Sequence, residues 1–487
     1  MFKEICSNHK AYKNLYNGTW IESSNNLIEI KSPIDGTILG RVQAMEKEDV
    51  NKAIKAAKES QIAWKNTPLN QRASILHKAS ELLKEKAEEL SILLQFEIGK
   101  NKSSSLSEIK RTSDFIKFTA DEGKHIKGET LGGENFPGFS KNKLSFVTRV
   151  PLGVVVCISP FNYPINLAAS KIAPALVTGN SVVFKPATKG AISGLYLAQI
   201  FNKAGVPAGV LNTITGKSSE IGDFLVTHKD INFINFTGST KTGEHIAKIA
   251  GMVPMLMELG GKDPAIVLKD ADLKKAAEHI VKGAFNYSGQ RCTAIKRVLV
   301  IDSIADKLIE KILPLAEKLS VGSPLEDAFI TPLIDEKSSD FVESLIEDAV
   351  KKGATLLTKN KQSKNLITPV ILDRVTSDMQ IAWEEPFGPV LPIIRVKDIE
   401  EAIKISNASK YGLQASVFTK DINTAFYLSD KLDVGTVQIN NEPERGPDHF
   451  PFTGVKASGM GTQGIKYSID AMTRRKTIVF NLDEKTP

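Results

Sequence analysis

Gly153-Val154-Val155-Val156-Cys157-Ile158-Ser159-Pro160-Phe161-Asn162-Tyr163-Pro164 is the stretch whose reading decides the fold. Its first half is continuously apolar rather than alternating, the pattern of a parallel strand buried on both faces. Its second half is a polar loop held between prolines. The surrounding span 152–175 is the most apolar in the chain, yet Ser159, Pro160, Asn162, Pro164 and Lys171 interrupt it. No run reaches the roughly 20 apolar residues of a membrane-spanning helix. The span therefore reads as a buried strand feeding a site loop.

Working downstream, strands are predicted at 181–184, 210–214 and 231–236, with helices at 165–177, 191–204 and 220–227. Strands alternating with helices of this length make βαβ units and a doubly wound sheet. A second α/β run begins near 261, with strands at 265–268, 298–301, 390–394, 415–418 and 436–439. Its helices are expected at 273–285, 304–319, 338–352, 399–406 and 423–432. Upstream, Asn17-Gly18 signals a hairpin. Helical spacing then recurs in Val50, Ala53, Ile54 and Ala57, in Ile75, Ala79, Leu82 and Leu83, and in Leu106, Ile109, Phe115 and Ile116. The segment 128–143 is rich in Gly, Asn, Lys and Phe and reads as a β-arm. The run 477–481 reads as a strand available to another chain.

The 487 residues exceed one ordinary core, so two or more domains are expected. A net charge of +7, from 63 basic against 56 acidic residues, is mild for this length and lacks the dense basic stripe of a nucleic-acid binder. Nothing points to a membrane or nucleic-acid partner. The 3 cysteines, Cys6, Cys157 and Cys292, are odd in number and far apart. That argues against a disulfide framework and for a reducing compartment, and no cluster of His and Cys suggests a metal. The first nine residues lack an apolar signal core. A cytoplasmic location is expected.

Chemistry is carried by short motifs. Cys292 sits in Gly289-Gln290-Arg291-Cys292-Thr293. A lone cysteine is ordinarily an inert small hydrophobe, but these polar neighbours are not a core setting, and a nearby guanidinium would raise the thiolate fraction. A nucleophilic thiol needs a water activator. Glu258, in Met257-Glu258-Leu259-Gly260-Gly261-Lys262, is either a surface residue at a turn or a half-buried carboxylate of raised pKa suited to base work. Asn162 is either the centre of an Asx turn or an amide donor to an oxyanion.

No Gly-x-Gly-x-x-Gly follows a strand. Instead Thr237-Gly238-Ser239-Thr240 follows one and opens a helix, where Gly238 and Ser239 can cradle a pyrophosphate. Phe184-Lys185-Pro186-Ala187-Thr188-Lys189 ends the preceding strand pair. It is either a solvated loop or a grip in which Lys185 meets ribose hydroxyls while Thr188 and Lys189 meet a 2′-phosphate. The sign of the charge favours NADP over NAD.

The order of these motifs, followed by Glu384-Glu385-Pro386-Phe387-Gly388-Pro389, resembles the aldehyde dehydrogenase superfamily over nearly the whole chain. Glu-Leu-Gly-Gly-Lys and Gly-Gln-Arg-Cys are its most specific marks. Within it, 158–164, 289–300, 444–452 and 464–469 resemble the branch of non-phosphorylating, NADP-dependent glyceraldehyde-3-phosphate dehydrogenases.

The resemblance implies two doubly wound α/β domains plus a small β oligomerisation arm. The dinucleotide-binding domain would span 1–125 and 145–260, the catalytic domain 261–440, and the arm 126–144 and 465–487. It implies Cys292 as nucleophile, Asn162 as oxyanion donor, Glu258 as deacylation base, and Glu384 and Phe387 beside the nicotinamide. For the phosphate of the aldehyde it implies Arg111, Tyr163, Arg291 and Arg445, a homotetramer and no metal. A dehydrogenase of another small aldehyde, such as succinate semialdehyde or lactaldehyde, is the alternative.

Overall fold

In the computed structural model, residues 3–7, 10–22 and 26–482 are described. Part of the N-terminal stretch read above, and residues 483–487 of the expected arm, lie outside them.

After short N-terminal strands, among them Leu27–Lys31 and Ile38–Gln43, come four helices: α1 (Lys47–Trp64), α2 (Leu69–Glu85), α3 (Ala87–Ile98) and α4 (Lys102–Gly123). The arm follows as β1 (Glu129–Gly132) and β2 (Lys143–Pro151). A parallel set comes next: β3 (Val154–Ile158), α5 (Asn166–Val177), β4 (Ser181–Lys185), α6 (Ala191–Ala204), β5 (Leu211–Thr213), α7 (Ser218–Val226), β6 (Phe233–Thr237), α8 (Thr240–Ile249) and β7 (Met255–Glu258). The second set is β8 (Pro264–Val267), α9 (Leu273–Phe285), β9 (Arg297–Ile301), α10 (Asp302–Glu317), α11 (Glu336–Lys351), β10 (Val370–Asp373), β11 (Val390–Val396), α12 (Ile399–Asn407), β12 (Gln414–Phe418), α13 (Ile422–Lys431) and β13 (Thr436–Ile439). Helix α14 (Ile465–Ala471) and β14 (Thr473–Asn481) close the chain.

The first sheet runs β5-β4-β3-β6-β7, all parallel, with the short strand Gly459–Met460 antiparallel on β7. The second runs β10-β11-β9-β8-β12-β13, also parallel, with the short strand Thr355–Leu356 antiparallel on β10. In each, the chain winds one way from its first strand and then restarts on that strand's other side. The switch falls between β3 and β6 in one sheet and between β8 and β12 in the other. Ligands bind outside the carboxyl ends of strands at such points.

The continuous apolar runs are explained by their two faces. Val155 and Cys157 of β3 join one core cluster while Val154 and Val156 join another. In β8, Ile266 faces one layer and Ala265 and Val267 the opposite one. Every residue of α5 is buried, Lys171 among them. Asn17 and Gly18, at φ 47° and 79°, make the predicted hairpin turn between Asn14–Tyr16 and Thr19–Ile21.

One expectation is corrected in its bounds alone. The C-terminal strand is longer than 477–481 and pairs along its whole length with β2 of its own chain, from Thr473 opposite Pro151 to Asn481 opposite Lys143. It is the edge of the sheet β14-β2-β1. Among the described residues, no helix is long and apolar enough to cross a membrane.

Candidate active site

The carboxyl ends of β3, β6 and β7 deliver three of the predicted groups to one place. Ile158 ends β3 and leads into the loop of Asn162, Thr237 ends β6, and Glu258 is the last residue of β7. Glu258 is 2% exposed, and neither of its carboxylate oxygens has a hydrogen-bond partner. Burial raises its pKa to about 7, against the pull of Arg445 and Lys171. The expected base is therefore more deeply buried than a residue at an exposed turn, and its pKa lies where general-base catalysis wants it.

Lys171 was read only as an interruption of an apolar stretch. It is fully buried, donates to Thr237 Oγ1 at 2.6 Å, and has its pKa lowered by burial to about 7. A single lysine inside a helix that is otherwise apolar all round was the signal that could have marked it.

The nucleophile loop is held in an unusual backbone. Tyr287, Ser288 and Gly289 take φ of 51°, 53° and 73° in succession. Non-glycine residues rarely enter this region unless their surroundings over-determine them. Here Ser288 Oγ donates to Thr331 O at 2.8 Å and accepts from Thr331 N at 2.9 Å. Tyr287 Oη donates to Ile98 O at 2.9 Å. A Cβ on Gly289 would overlap the Gly388 carbonyl, so that glycine lets the 384–389 loop press against this one.

Asn162 is buried, and its Nδ2 donates to Gln290 O at 2.9 Å, tying its loop to the residue two before the thiol. Cys292 is half-buried at the end of this turn. Burial raises its pKa; Arg445 and Lys296 oppose that rise, while Glu258 and Glu385 add to it. The guanidinium that favours the thiolate is thus Arg445 rather than the adjacent Arg291.

A cavity of about 460 Å3 opens at Cys292, and Arg111, Tyr163, Arg291 and Arg445 all line it. Four residues spread over more than 300 positions of sequence meet there, as expected. Arg111 holds Asp448 through Nε and Nη2, each at 2.8 Å, and also donates to the Arg445 carbonyl. Arg291 donates to Gly283 O at 2.8 Å, and its Nε has no partner. Arg445 lies 4.3 Å from the Phe452 ring, 3.8 Å from Glu258, and bonds Gln463. Tyr163 packs edge-on to Tyr287 with Lys100 Nζ 3.6 Å from its ring centroid. Lys282, absent from the expected set, also lines the cavity. The arrangement can accept an anion while an aldehyde carbon reaches the thiol.

On the cofactor side, Lys185 is 3% exposed at the end of β4, and burial alone lowers its pKa to about 8. A buried ammonium with no carboxylate field beside it suits hydroxyl and phosphate oxygens. Gly238 lies before the α8 N-terminus and Ser239 caps that helix, accepting from Thr242 N. Thr188 and Lys189 line a second cavity of about 640 Å3, together with Lys31, Lys337 and Lys364. Lys189 is there engaged by Asp335, which caps α11. These residues fit a dinucleotide bearing an extra phosphate.

Phe387 packs on Phe161 of the Asn162 loop at 6.0 Å. Glu384 pairs with Lys410 at 3.4 Å, its side chain 45% exposed. Its neighbour Glu385 is the carboxylate that reaches inward, accepting from Gly261 N at 3.2 Å and pairing with Lys296 at 3.0 Å. Adjacent acidic residues cannot be told apart by spacing alone, and burial decides between them.

A half-buried thiol in a glycine-containing turn, a carboxylate without hydrogen bonds and an amide-bearing loop thus meet at a sheet switch point. The chain belongs to the aldehyde dehydrogenase family, whose model matches residues 20–478. Within that family it is 55% identical over 473 residues to an NADP-dependent glyceraldehyde-3-phosphate dehydrogenase of Streptococcus equinus, covering 97% of this chain and 99% of that one. It is 51% identical to the enzyme of the same name from Pisum sativum, covering 97% and 96%. The crystal structure of such an enzyme from Bacillus halodurans, complexed with NADP, superposes with a TM-score of 0.96 at 56% identity, covering 97% and 99%.

Proposed function

We propose that this chain oxidises D-glyceraldehyde 3-phosphate to 3-phosphoglycerate with NADP and water, through a thioester on Cys292 and without inorganic phosphate. The single observation that carries the substrate is the cavity at Cys292 lined by Arg111, Arg291 and Arg445. A phosphate dianion is held by several guanidinium donors, each charge-assisted bond contributing roughly 1.5–3 kcal/mol. An apolar aldehyde would gain nothing from them. The names of the relatives support the same substrate and cofactor.

The Cys292 thiolate adds to the aldehyde carbon. The Asn162 amide and the Cys292 N–H stabilise the oxyanion that forms. The bound cofactor supplies an acceptor for the hydride lost from that carbon. Glu258, free of hydrogen bonds and with a pKa of about 7, then takes a proton from water as it attacks the thioester, whose C–S bond breaks to release 3-phosphoglycerate and return the Cys292 thiolate. Lys185, Thr188, Lys189, Gly238 and Ser239 would hold the dinucleotide, and Phe387 would stand beside its reactive ring.

In this reading 1–125 and 145–260 bind the dinucleotide, 261–440 carries the nucleophile, and 126–144 with 465–487 forms an oligomerisation arm. Exposed Phe146, Ile478, Val479 and Phe480 on the arm sheet support a homotetramer. The three free cysteines support a reducing cytoplasm.

The test is direct. Purified protein is mixed with D-glyceraldehyde 3-phosphate and NADP, inorganic phosphate is omitted, and absorbance of the reduced cofactor is followed. Rapid reduction with this aldehyde and slow reduction with succinate semialdehyde and lactaldehyde is expected. A preference for either of the other two would overturn the substrate.

A further inference from the structure

Lys296 is 1% exposed and stands four residues after the proposed nucleophile. Its ammonium donates to the Cys292 backbone carbonyl and pairs with Glu385 at 3.0 Å. Its own N–H donates to Asp263 O at 3.0 Å, which seats the residue at the entry to β9. Glu385 in turn accepts from Gly261 N at 3.2 Å. Three loops therefore meet on one ion pair: the Gly260–Gly261 turn after Glu258 through Glu385, the nucleophile loop through Lys296, and the 384–389 loop that carries Glu385.

The glycines show how tight this meeting is. A Cβ on Gly260 would overlap the Glu385 carboxylate. One on Gly261 would lie 3.1 Å from the Cys292 carbonyl oxygen and 2.7 Å from Asp263 Oδ1. The consecutive glycines, a motif the catalytic steps leave unexplained, are what allow a carboxylate and a carbonyl to approach the same turn.

We propose that Lys296 is a positioning residue that, braced by Glu385, clamps the Cys292 carbonyl and so fixes the thiol against the turn that carries Glu258. The clamp rests on Cys292 being the nucleophile, as proposed above. It also places a cation and an anion where both act on one sulfur. The thiol is faced as well by Arg445, Glu258 and Lys171 from the other elements around it. Of the clamp pair, Lys296 favours the thiolate and Glu385 disfavours it. Removing the two partners must therefore change thiol reactivity with opposite signs, an outcome that general loosening of the loop does not produce.

The test uses cofactor-free full-length protein. Iodoacetamide alkylation of Cys292 is followed by peptide mass spectrometry across pH, in wild type, K296M, K296R and E385Q. Below the thiol pKa, each unit of upward shift slows alkylation about tenfold, so K296M should slow it about three- to tenfold near neutral pH and move its profile to higher pH. E385Q should move the profile to lower pH, and K296R should restore most of the wild-type rate.

A K296M profile that coincides with wild type, or shifts of K296M and E385Q in the same direction, would overturn the clamp. Should K296M not fold, an unmoved E385Q profile is sufficient to reject it. Turnover of wild type is measured in parallel. A protein whose Cys292 alkylates with the predicted shifts but does not oxidise the phosphorylated triose breaks the functional reading alone. An active wild type with unmoved variant profiles breaks the clamp alone.

Discussion

Glu97 and Glu258 are both buried carboxylates, 1% and 2% exposed, and burial raises the pKa of each to about 7. Their surroundings differ. Glu97, at the end of α3, accepts from Ile192 N at 2.7 Å and Ser193 N at 2.9 Å, and from the Ser193 hydroxyl. It satisfies the free amides at the start of α6, where a negative charge is also favoured by the helix dipole. Glu258 accepts nothing. A buried polar group without partners costs folding free energy, so its retention calls for a chemical reason, whereas a fully bonded one is accounted for by the fold. Burial and pKa alone would not have separated the two.

The largest effects should fall on the orphaned side of this comparison. Replacing Cys292 by Ala should abolish turnover while leaving thermal stability within about 1 kcal/mol of wild type, since a half-buried thiol loses only one small group. Residual turnover above background would move the nucleophile elsewhere. Next, Glu258→Ala should keep the first burst of reduced cofactor but slow steady-state turnover by about 10² to 10⁴, the usual contribution of a general base. Because the base must be ionised, the wild-type rate of thioester hydrolysis should rise with pH through about 7, and Glu258→Gln should lose that inflection. A variant without a burst would place Glu258 before hydride loss instead.

Arg445 links the orphaned carboxylate to the anion cavity. Its charge lowers the Glu258 pKa, so Arg445→Met should move the hydrolysis inflection to higher pH. It should also raise KM for the phosphorylated triose about ten- to a hundredfold, the equivalent of one charge-assisted bond, with little change for an unphosphorylated aldehyde. Arg111→Met should share the KM effect but not the pH shift, because the charges that act on Glu258 are those of Arg445 and Lys171. Equal KM increases for both aldehydes would remove the phosphate clamp from the account.

The sheet strands were legible because burial on two faces writes itself as an unbroken apolar run, as in Val154–Ile158. The thiol, the Asn162 loop and Glu258 were legible because short motifs carry them. Which of Glu384 and Glu385 turns inward was not, since both are acidic and adjacent and only the Lys296 partner distinguishes them. The C-terminal strand's pairing with β2 joins residues more than 300 positions apart. Local pattern carries no information about such a partner. Lys171 was hidden in the same way: its sequence context says only that it is buried, and its role depends on Thr237 and Glu258 arriving from other strands.

The smallest effect tests the comparison itself, through stability rather than turnover. For both carboxylates the folded pKa, about 7, stands above the ordinary 4.5. Between those values the unfolded chain has ionised while the folded chain still holds its proton, so each group lowers stability as pH rises from about 4.5 to about 7, and adds no further loss above that. Glu258→Gln removes this slope and breaks no hydrogen bond, only the 3.8 Å ion pair with Arg445 that forms once the carboxylate ionises. Its melting temperature should match wild type near about pH 5 and exceed it near about pH 8. Glu97→Gln removes the same slope but turns an amide nitrogen toward donors of α6, at a cost of about 1–3 kcal/mol for the groups left unmatched. It should melt below wild type near about pH 5, where the charge difference is smallest and only the lost cap is read. If both variants track each other across this range, hydrogen bonding does not distinguish the two carboxylates, and the absence of partners around Glu258 loses its standing as a mark of chemistry.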